Sequence, residues 1–270
     1  MIKAIIVDLD GTLLDHNGNV SALSAEMLKK AKSNGILPII ATGRNYAETE
    51  FAAERIGADD LLILLTGSLI IRGNGKVVAS YPISQEDGNK IIDILHKRPF
   101  YTELYSKNDL YIEKIERIRK VKLPERYVSL VLNSYFPVSD YRIVSENVHK
   151  FLVISDNEEM LLNARREMEK IDGILVTSST ANGIEVVKRG VNKGLGLNVL
   201  CSELNISADE VAVIGDSEND TDIFRSAGLK IAMGNATGSL KAMADLITKD
   251  NEHDGVAYAV NYILNRMTGT

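Results

Sequence analysis

Short apolar runs recur between helix-patterned segments at both ends of this chain, and that rhythm restricts the fold more than any other feature. Residues 2–7 are apolar apart from Lys3 and rich in Ile and Val, which suits a strand covered on both faces. Ser21 is placed to cap a helix whose Leu23, Met27, Leu28 and Ala31 share one face, and Gly35 supplies its stop. Residues 36–41 read as a second buried strand, 46–56 as a helix and 61–65 as a third strand. A hairpin follows, 69–72 and 76–81, turning at Gly73-Asn74-Gly75. Strand and helix in alternation predict a parallel sheet with right-handed crossovers.

The alternation breaks near Pro82. Beyond it the pattern predicts a helix at 86–97, two strands flanking Ser106-Lys107-Asn108-Asp109, an ambiguous stretch to about Glu146, then strand, helix and two strands. After Gly190 the rhythm resumes: helix 193–204, strand 211–214, helix 219–226, strand 229–233 and two more helix–strand exchanges. The expected fold class is α/β, a Rossmann-like doubly wound parallel-sheet core with an inserted α+β domain. The core is discontinuous, 1–82 and 190–270, and the insertion spans 83–189.

Composition narrows the function classes. With 31 basic and 37 acidic side chains the formal charge is −6, and no long basic cluster is present to drive nucleic-acid binding. One cysteine, Cys201, can form neither an intramolecular disulfide nor a multi-cysteine metal site, so a reducing, cytoplasmic setting is expected. The run at 61–65 is far short of the ~18–20 apolar residues of a membrane span, so no membrane contact and an unprocessed soluble chain are expected.

Ligands of open α/β sheets sit outside the carboxyl ends of the strands. There the first strand delivers Asp8-Leu9-Asp10-Gly11-Thr12, the second Ala41-Thr42-Gly43-Arg44, and the strand at 211–214 delivers Gly215-Asp216-Ser217-Glu218-Asn219-Asp220. Lys193 opens a helix on the same rim. Asp8 and Asp10, two apart, point the same way while the chain stays extended, and with Asp216 they repel unless a cation lies between them. Oxygen donors without a nearby His or Cys fit a hard ion such as Mg²⁺. A lysine in a first helical turn opposes the macrodipole by ~0.3–1 kcal/mol, and a bound phosphate would reverse that sign. Taken singly, each feature has a plainer reading, since Asp-Gly is a common turn and Glu218 and Asp220 suit any helix start. The combination, set at the end of the first apolar strand, carries the functional reading.

Asp8-Leu9-Asp10-Gly11-Thr12, Thr42-Gly43-Arg44, Lys193-Gly194 and Gly215-Asp216-x-x-Asn219-Asp220 resemble, in order, the four motifs of the haloacid dehalogenase (HAD) superfamily. Ala232-Met233-Gly234-Asn235-Ala236, Ala244-Asp245, Thr248, Asn251 and Asp254-Gly255-Val256 resemble its Cof-type phosphatase branch, which carries a large α/β (type IIB) cap between the second and third motifs. The insertion falls at that place. The resemblance covers about residues 1–82 and 188–270, and in the cap it is one of length and element order only.

The resemblance implies a Mg²⁺-dependent phosphomonoesterase acting on small phosphorylated metabolites: sugar phosphates, nucleotides or phosphorylated cofactors. Asp8 would attack phosphorus and form an aspartyl-phosphate. Asp10 would protonate the leaving oxygen and then activate water. Thr42 and Lys193 would bind the phosphoryl group. Asp8, the Asp10 carbonyl and Asp216 would hold the ion, with Asn219 and Asp220 in or near the shell behind them. Gly43, Arg44, Thr66 and Gly67 are expected at the substrate, with Arg44 either anchoring local structure or reaching the ligand. Where relatives usually carry Asn-Gly-Ala, this chain has Thr66-Gly67-Ser68, and Asp222 replaces a commonly apolar residue. Asp222 reads as a solvated helix residue. His16, His96, His149 and His253 lack ligand spacing and read as surface or packing residues, as do Tyr101, Tyr105 and Tyr111 on the inserted strands. Residues 81–84 and 187–191, with Gly190, are expected to hinge the cap. Two other readings compete: a phosphotransferase or phosphomutase on the same fold, and a non-enzymatic phospho-aspartate switch.

Overall fold

The computed structural model describes residues 1–144, 147–180 and 182–268. Its N-terminal part runs β1 (Ala4–Val7), α1 (Ala22–Ser33), β2 (Leu37–Ala41), α2 (Tyr46–Ile56), β3 (Leu61–Leu64), β4 (Leu69–Arg72) and β5 (Val77–Ser80). The insertion supplies α3 (Gln85–His96), β6 (Tyr101–Ser106), β7 (Asp109–Ile112), α4 (Glu125–Ser134), β8 (Tyr135–Pro137), β9 (Val148–Ile154), α5 (Glu158–Met168), β10 (Ile174–Thr180) and β11 (Gly183–Lys188). The C-terminal part adds α6 (Lys193–Leu204), β12 (Val211–Gly215), α7 (Thr221–Ser226), β13 (Leu229–Ala232), α8 (Gly238–Met243), β14 (Leu246–Ile247) and α9 (Gly255–Thr268).

Both chain ends enter one eight-stranded sheet, ordered β14-β13-β12-β1-β2-β3-β4-β5. The strands from β14 to β3 are parallel, and β4 and β5 extend the edge antiparallel. In register, Val7 lies beside Ile214 on one side and Ile40 on the other. The carboxyl ends of β12, β1 and β2 are therefore neighbours, which brings the three acidic or hydroxyl-bearing turns together from distant parts of the sequence. β1 is buried along its whole length, as its unalternating apolar run predicts.

The helix signals act locally as read. Ser21 accepts from Ser24 N at the start of α1, and Asn45 and Glu48 cap each other's backbone at the start of α2. Two expectations shift. The predicted helix 219–226 begins as a 3₁₀ turn, Glu218–Asp220, before α7, because the Asp220 carboxylate turns back to cap Asp216 N and Ser217 N. The last expected exchange ends on α9 with no strand after it among the described residues. The ambiguous stretch resolves into a 3₁₀ segment Ile115–Lys120, then α4, β8 and a 3₁₀ turn Tyr141–Val144, while Glu146 lies outside the described residues.

The insertion forms its own six-stranded sheet, β10-β11-β9-β6-β7-β8, antiparallel except for β7–β8. Strand alternation divides its faces. Leu104, Phe151, Val153, Ile184 and Val186 join the cluster with α3 and α5 on the outer face. Tyr101, Tyr105, Leu152 and Ile154 join the core cluster of the first sheet. Glu103, Lys150 and Glu185 share that inner face by register, through Glu103↔Leu152↔Glu185 and Tyr105↔Lys150.

Candidate active site

Asp8 leaves β1 as that strand ends, and its backbone N–H donates to Ile214 O, 3.1 Å away. Lys193, fully buried at the first turn of α6, places Nζ 2.7 Å from Asp8 Oδ1 and 2.7 Å from Asp220 Oδ1. Asp216 accepts from Thr12 Oγ1 at 2.7 Å. Carboxylate oxygens of Asp8, Asp216 and Asp220 lie within 4.8 Å of one another. Three carboxylates thus face one ammonium, and their pKa values respond. Burial raises Asp8 well above the ordinary carboxylate range against the pull of Lys193, and Asp220 and Asp216 add to the rise. Burial and Asp220 push Asp216 up to about 7. Lys193 stays charged, because the two aspartates outweigh its desolvation. An all-oxygen donor set with surplus negative charge fits a hard divalent cation.

Asp10 has a different partner. Its carboxylate takes a bidentate clasp from Arg44, with Nε at 2.9 Å and Nη2 at 2.6 Å. Desolvation opposes ionisation of Asp10, but Arg44 prevails and lowers its pKa. Asp8 and Asp10 line the same cavity with different partners, Lys193 and Arg44, on a chain that leaves extended geometry after Val7 and turns through Asp8 to Leu14. Asp220, expected behind the ion, offers its oxygen alongside Asp8 and Asp216. Asn219 is buried and accepts from Ser217 Oγ.

Thr42 is fully buried at the end of β2, where its Oγ1 accepts from Arg44 N and keeps its own hydrogen uncommitted. The β3–β4 turn packs against it, with Thr66 N donating to Thr42 O and Leu65 N to Arg44 O. Leu65 and Thr66 hold left-handed φ values of 50° and 60°, strain kept in place by these bonds. Thr66 turns to the cap, its Oγ1 donating to Glu185 Oε2 at 2.5 Å. Gly67, at φ 92°, lies against the backbone of Asn192, where a β-carbon would come within 2.1 Å of its carbonyl oxygen.

A cavity of about 120 Å³ opens between core and cap, walled by Asp8, Asp10, Gly43, Arg44 and Asn219 from below. Thr66 and Gly67, expected at the substrate, are not among its lining residues; Thr66 meets Glu185 and Gly67 lies against Asn192. From above come residues that sequence reasoning missed: Glu185, Lys150, Tyr105, Tyr127, Leu152 and Ile154. Lys150 Nζ lies 2.5 Å from Gly43 O and 3.1 Å from Glu185 Oε1. Gly43 is required there, since a β-carbon would sit 2.4 Å from Glu185 Oε1. The readable signal was a charged residue inside an otherwise apolar strand, as in 148–154. Tyr101 and Tyr105, expected only to pack, donate to the buried Glu103, and Tyr105 Oη also lies 3.2 Å from Glu48 Oε1. Asp222, expected in solvent, accepts from Asn192 Nδ2 at 2.8 Å and ties α7 to the start of α6. His96 does meet carboxylates, Glu113 and Asp140, in an outer-face cluster distant in sequence.

The haloacid dehalogenase-like hydrolase family matches this chain over residues 5–260. The chain belongs to that family. The 5-amino-6-(5-phospho-D-ribitylamino)uracil phosphatase YwtE of Bacillus subtilis is 28% identical, over 98% of this chain and 99% of its own. A phosphoglycolate phosphatase of Archaeoglobus fulgidus is 31% identical, over 97% and 96%. The HAD subclass IIB sugar phosphatase BT4131 shares the fold with a TM-score of 0.84 at 22% identity, over 97% of this chain and 98% of that one. This HAD protein is thus an enzyme of the phosphatase type, with a cap over its core sheet. No helix among its described residues is long and apolar enough to cross a membrane.

Proposed function

We propose that this enzyme is a Mg²⁺-dependent phosphomonoesterase for small phosphorylated metabolites, working through an aspartyl-phosphate, with residues 1–82 and 190–270 as catalytic core and 83–189 as cap. The supporting observation is the position of Asp8, at the wall of a core–cap cavity with Lys193 on one oxygen and Asp216 and Asp220 close by. Relatives named as a phosphoglycolate phosphatase and a 5-amino-6-(5-phospho-D-ribitylamino)uracil phosphatase support a small phosphorylated substrate.

Asp8, the Asp10 carbonyl and Asp216 would hold the ion, with Asn219 and Asp220 in or near the shell behind them, and the ion when bound would neutralise charge on the phosphoryl oxygens. Asp8 Oδ attacks phosphorus as the ester P–O bond breaks. Lys193 Nζ and the free Thr42 hydroxyl hydrogen bind the transferring oxygens. Asp10 sits at the leaving-group side. Arg44 holds it ionised at rest, which suits the second half-reaction, where it takes a proton from the water that cleaves the acyl phosphate. Protonating the departing alkoxide first requires Asp10 to carry a proton, which the crowding of anionic substrate against it favours.

The deciding experiment follows free phosphate and substrate loss together over a panel of phosphorylated metabolites. Equal rates without a sugar acceptor support hydrolysis, transfer to an acceptor supports a phosphotransferase, and a stable phosphoprotein without turnover overturns catalysis. Chelation should abolish release; Mg²⁺ should restore it and Ca²⁺ should not, because Ca²⁺ favours a larger coordination number. Equal rescue by both ions counts against the proposed ion.

A further inference from the structure

Every cation around the cavity is already matched by a carboxylate. Arg44 clasps Asp10, Lys193 lies between Asp8 and Asp220, and Lys150 pairs with Glu185. Lys150 and Glu185 are each only 3% exposed at the side chain, so water screens their pairing weakly. An ammonium carries three donors. Lys150 commits one to Gly43 O and one to Glu185, which leaves a third for a ligand in the cavity it lines. The neighbouring wall, Leu123, Pro124, Leu152 and Ile154, is apolar.

A second cavity of about 460 Å³ adjoins through Asp10, Arg44, Pro124 and Tyr127. It adds Asp15, Glu50 and Glu54 against Arg126, whose guanidinium stacks 4.5 Å from the Phe51 ring and bonds Asn19. In the second space Asp10, Asp15, Glu50 and Glu54 outnumber Arg44 and Arg126, and Arg126 is engaged by the Phe51 ring and Asn19. A carboxylate or second phosphate entering the first cavity with the leaving group would be desolvated where each lining cation already has a carboxylate partner.

We infer that the Lys150–Glu185 pair is a specificity device that reads the leaving group, its lysine donating to a hydroxyl while its glutamate cancels the charge that would attract an anion. The enzyme then prefers phosphate esters of uncharged alcohols to esters whose leaving group is itself anionic. This rests on the phosphatase reading above. It also assigns a purpose to Thr66: by donating to Glu185, the β3–β4 turn holds that carboxylate against Lys150.

The test uses two esters of one carbon skeleton, glycerol 3-phosphate and 3-phosphoglycerate, which differ by CH₂OH against COO⁻, as competitors of p-nitrophenyl phosphate hydrolysis. For the wild type, glycerol 3-phosphate should compete at tenfold lower concentration or better. Glu185→Gln keeps an acceptor for Thr66 and unmasks the Lys150 charge, so it should improve competition by 3-phosphoglycerate at least tenfold relative to glycerol 3-phosphate. Lys150→Met should worsen it. Equal competition by the two esters in wild type, no competition by either, or an unchanged ratio in both variants overturns the inference. Failure to hydrolyse p-nitrophenyl phosphate at all, with Mg²⁺ present, overturns the phosphatase reading and this one with it.

Discussion

Lys193 meets two demands through one atom. Its ammonium lies 2.7 Å from both Asp8 and Asp220, so it relieves the repulsion of the acidic cluster, and in the proposed reaction it also binds a phosphoryl oxygen. Removing it leaves buried carboxylates without their cation, a loss of on the order of 3–5 kcal/mol when one partner of a buried pair is deleted. Lys193→Met is expected to lose turnover by ~10² or more and to lower Tm in metal-free buffer, with Mg²⁺ recovering part of the Tm. An unchanged Tm without metal would show that the cluster is not under the electrostatic load described. Asp8→Asn is expected to remove turnover with little change in Tm, because an amide keeps the shape but cannot attack phosphorus. Clean Asp8→Asn protein with wild-type rates refutes the nucleophile. Both residues were legible in the sequence, since a carboxylate ending a buried strand and a lysine starting a helix are local anomalies. The partnership of Asp10 with Arg44 was not, because it depends on how two turns face each other.

At the scale of elements, α2 of the core meets β6 of the cap through a proton-sharing chain. Glu103 accepts from Tyr101, Tyr105 and Tyr127, and Tyr105 Oη also touches Glu48. Burial, with the Glu103 carboxylate behind Tyr105, pushes Glu48 up to about 7 from its usual 4.5. A folded-state value above the unfolded one means that folding favours protonated Glu48. That stabilisation is full below about 4.5 and is lost as pH rises through about 7. Glu48→Gln should therefore raise Tm at pH 8, by on the order of 1–3 kcal/mol in stability, and change it little at pH 5. Thermal melts across that range check it, and an equal effect at both pH values would refute the buried proton. Helix boundaries and caps were legible at this scale because they are set by neighbours within four residues. The inner face of the cap sheet was not, because the alternation shows only that Glu103, Lys150 and Glu185 share a side, and many strands show charged residues to solvent.

At the scale of the whole molecule, the chain crosses between its two sheets twice, near residues 81–84 and 187–191. Tyr81 N still bonds Ser68 O in the core, while Ile83 packs in the outer cap cluster. Gly190, at φ 79°, is open to space on its β-carbon side. Across the gap, apolar packing of Tyr105, Leu152 and Ile154 on the core stands beside polar contacts of Lys150 on Gly43 O, Thr66 on Glu185, Arg165 on Glu218 and Asn45 on Asn108 O. Polar bonds exchangeable with water suit a cap that opens and closes about these crossings. Vanadate with Mg²⁺ is expected to increase amide-exchange protection on β9, β11 and residues 42–44 together, and Gly190→Ala to reduce that gain. Identical exchange with and without vanadate would refute the hinge. The sequence by itself determined the α/β rhythm, the interruption, and which turns carry reactive groups, because strand burial, capping and turn chemistry are short-range and leave their pattern in adjacent residues. Only the tertiary structure decided that Asp220 joins the acidic cluster, that Arg44 clasps Asp10 and that Thr66 bonds the cap. These are contacts between residues 34 to 212 positions apart, made when parallel strand register aligns distant turns and the insertion folds back over them.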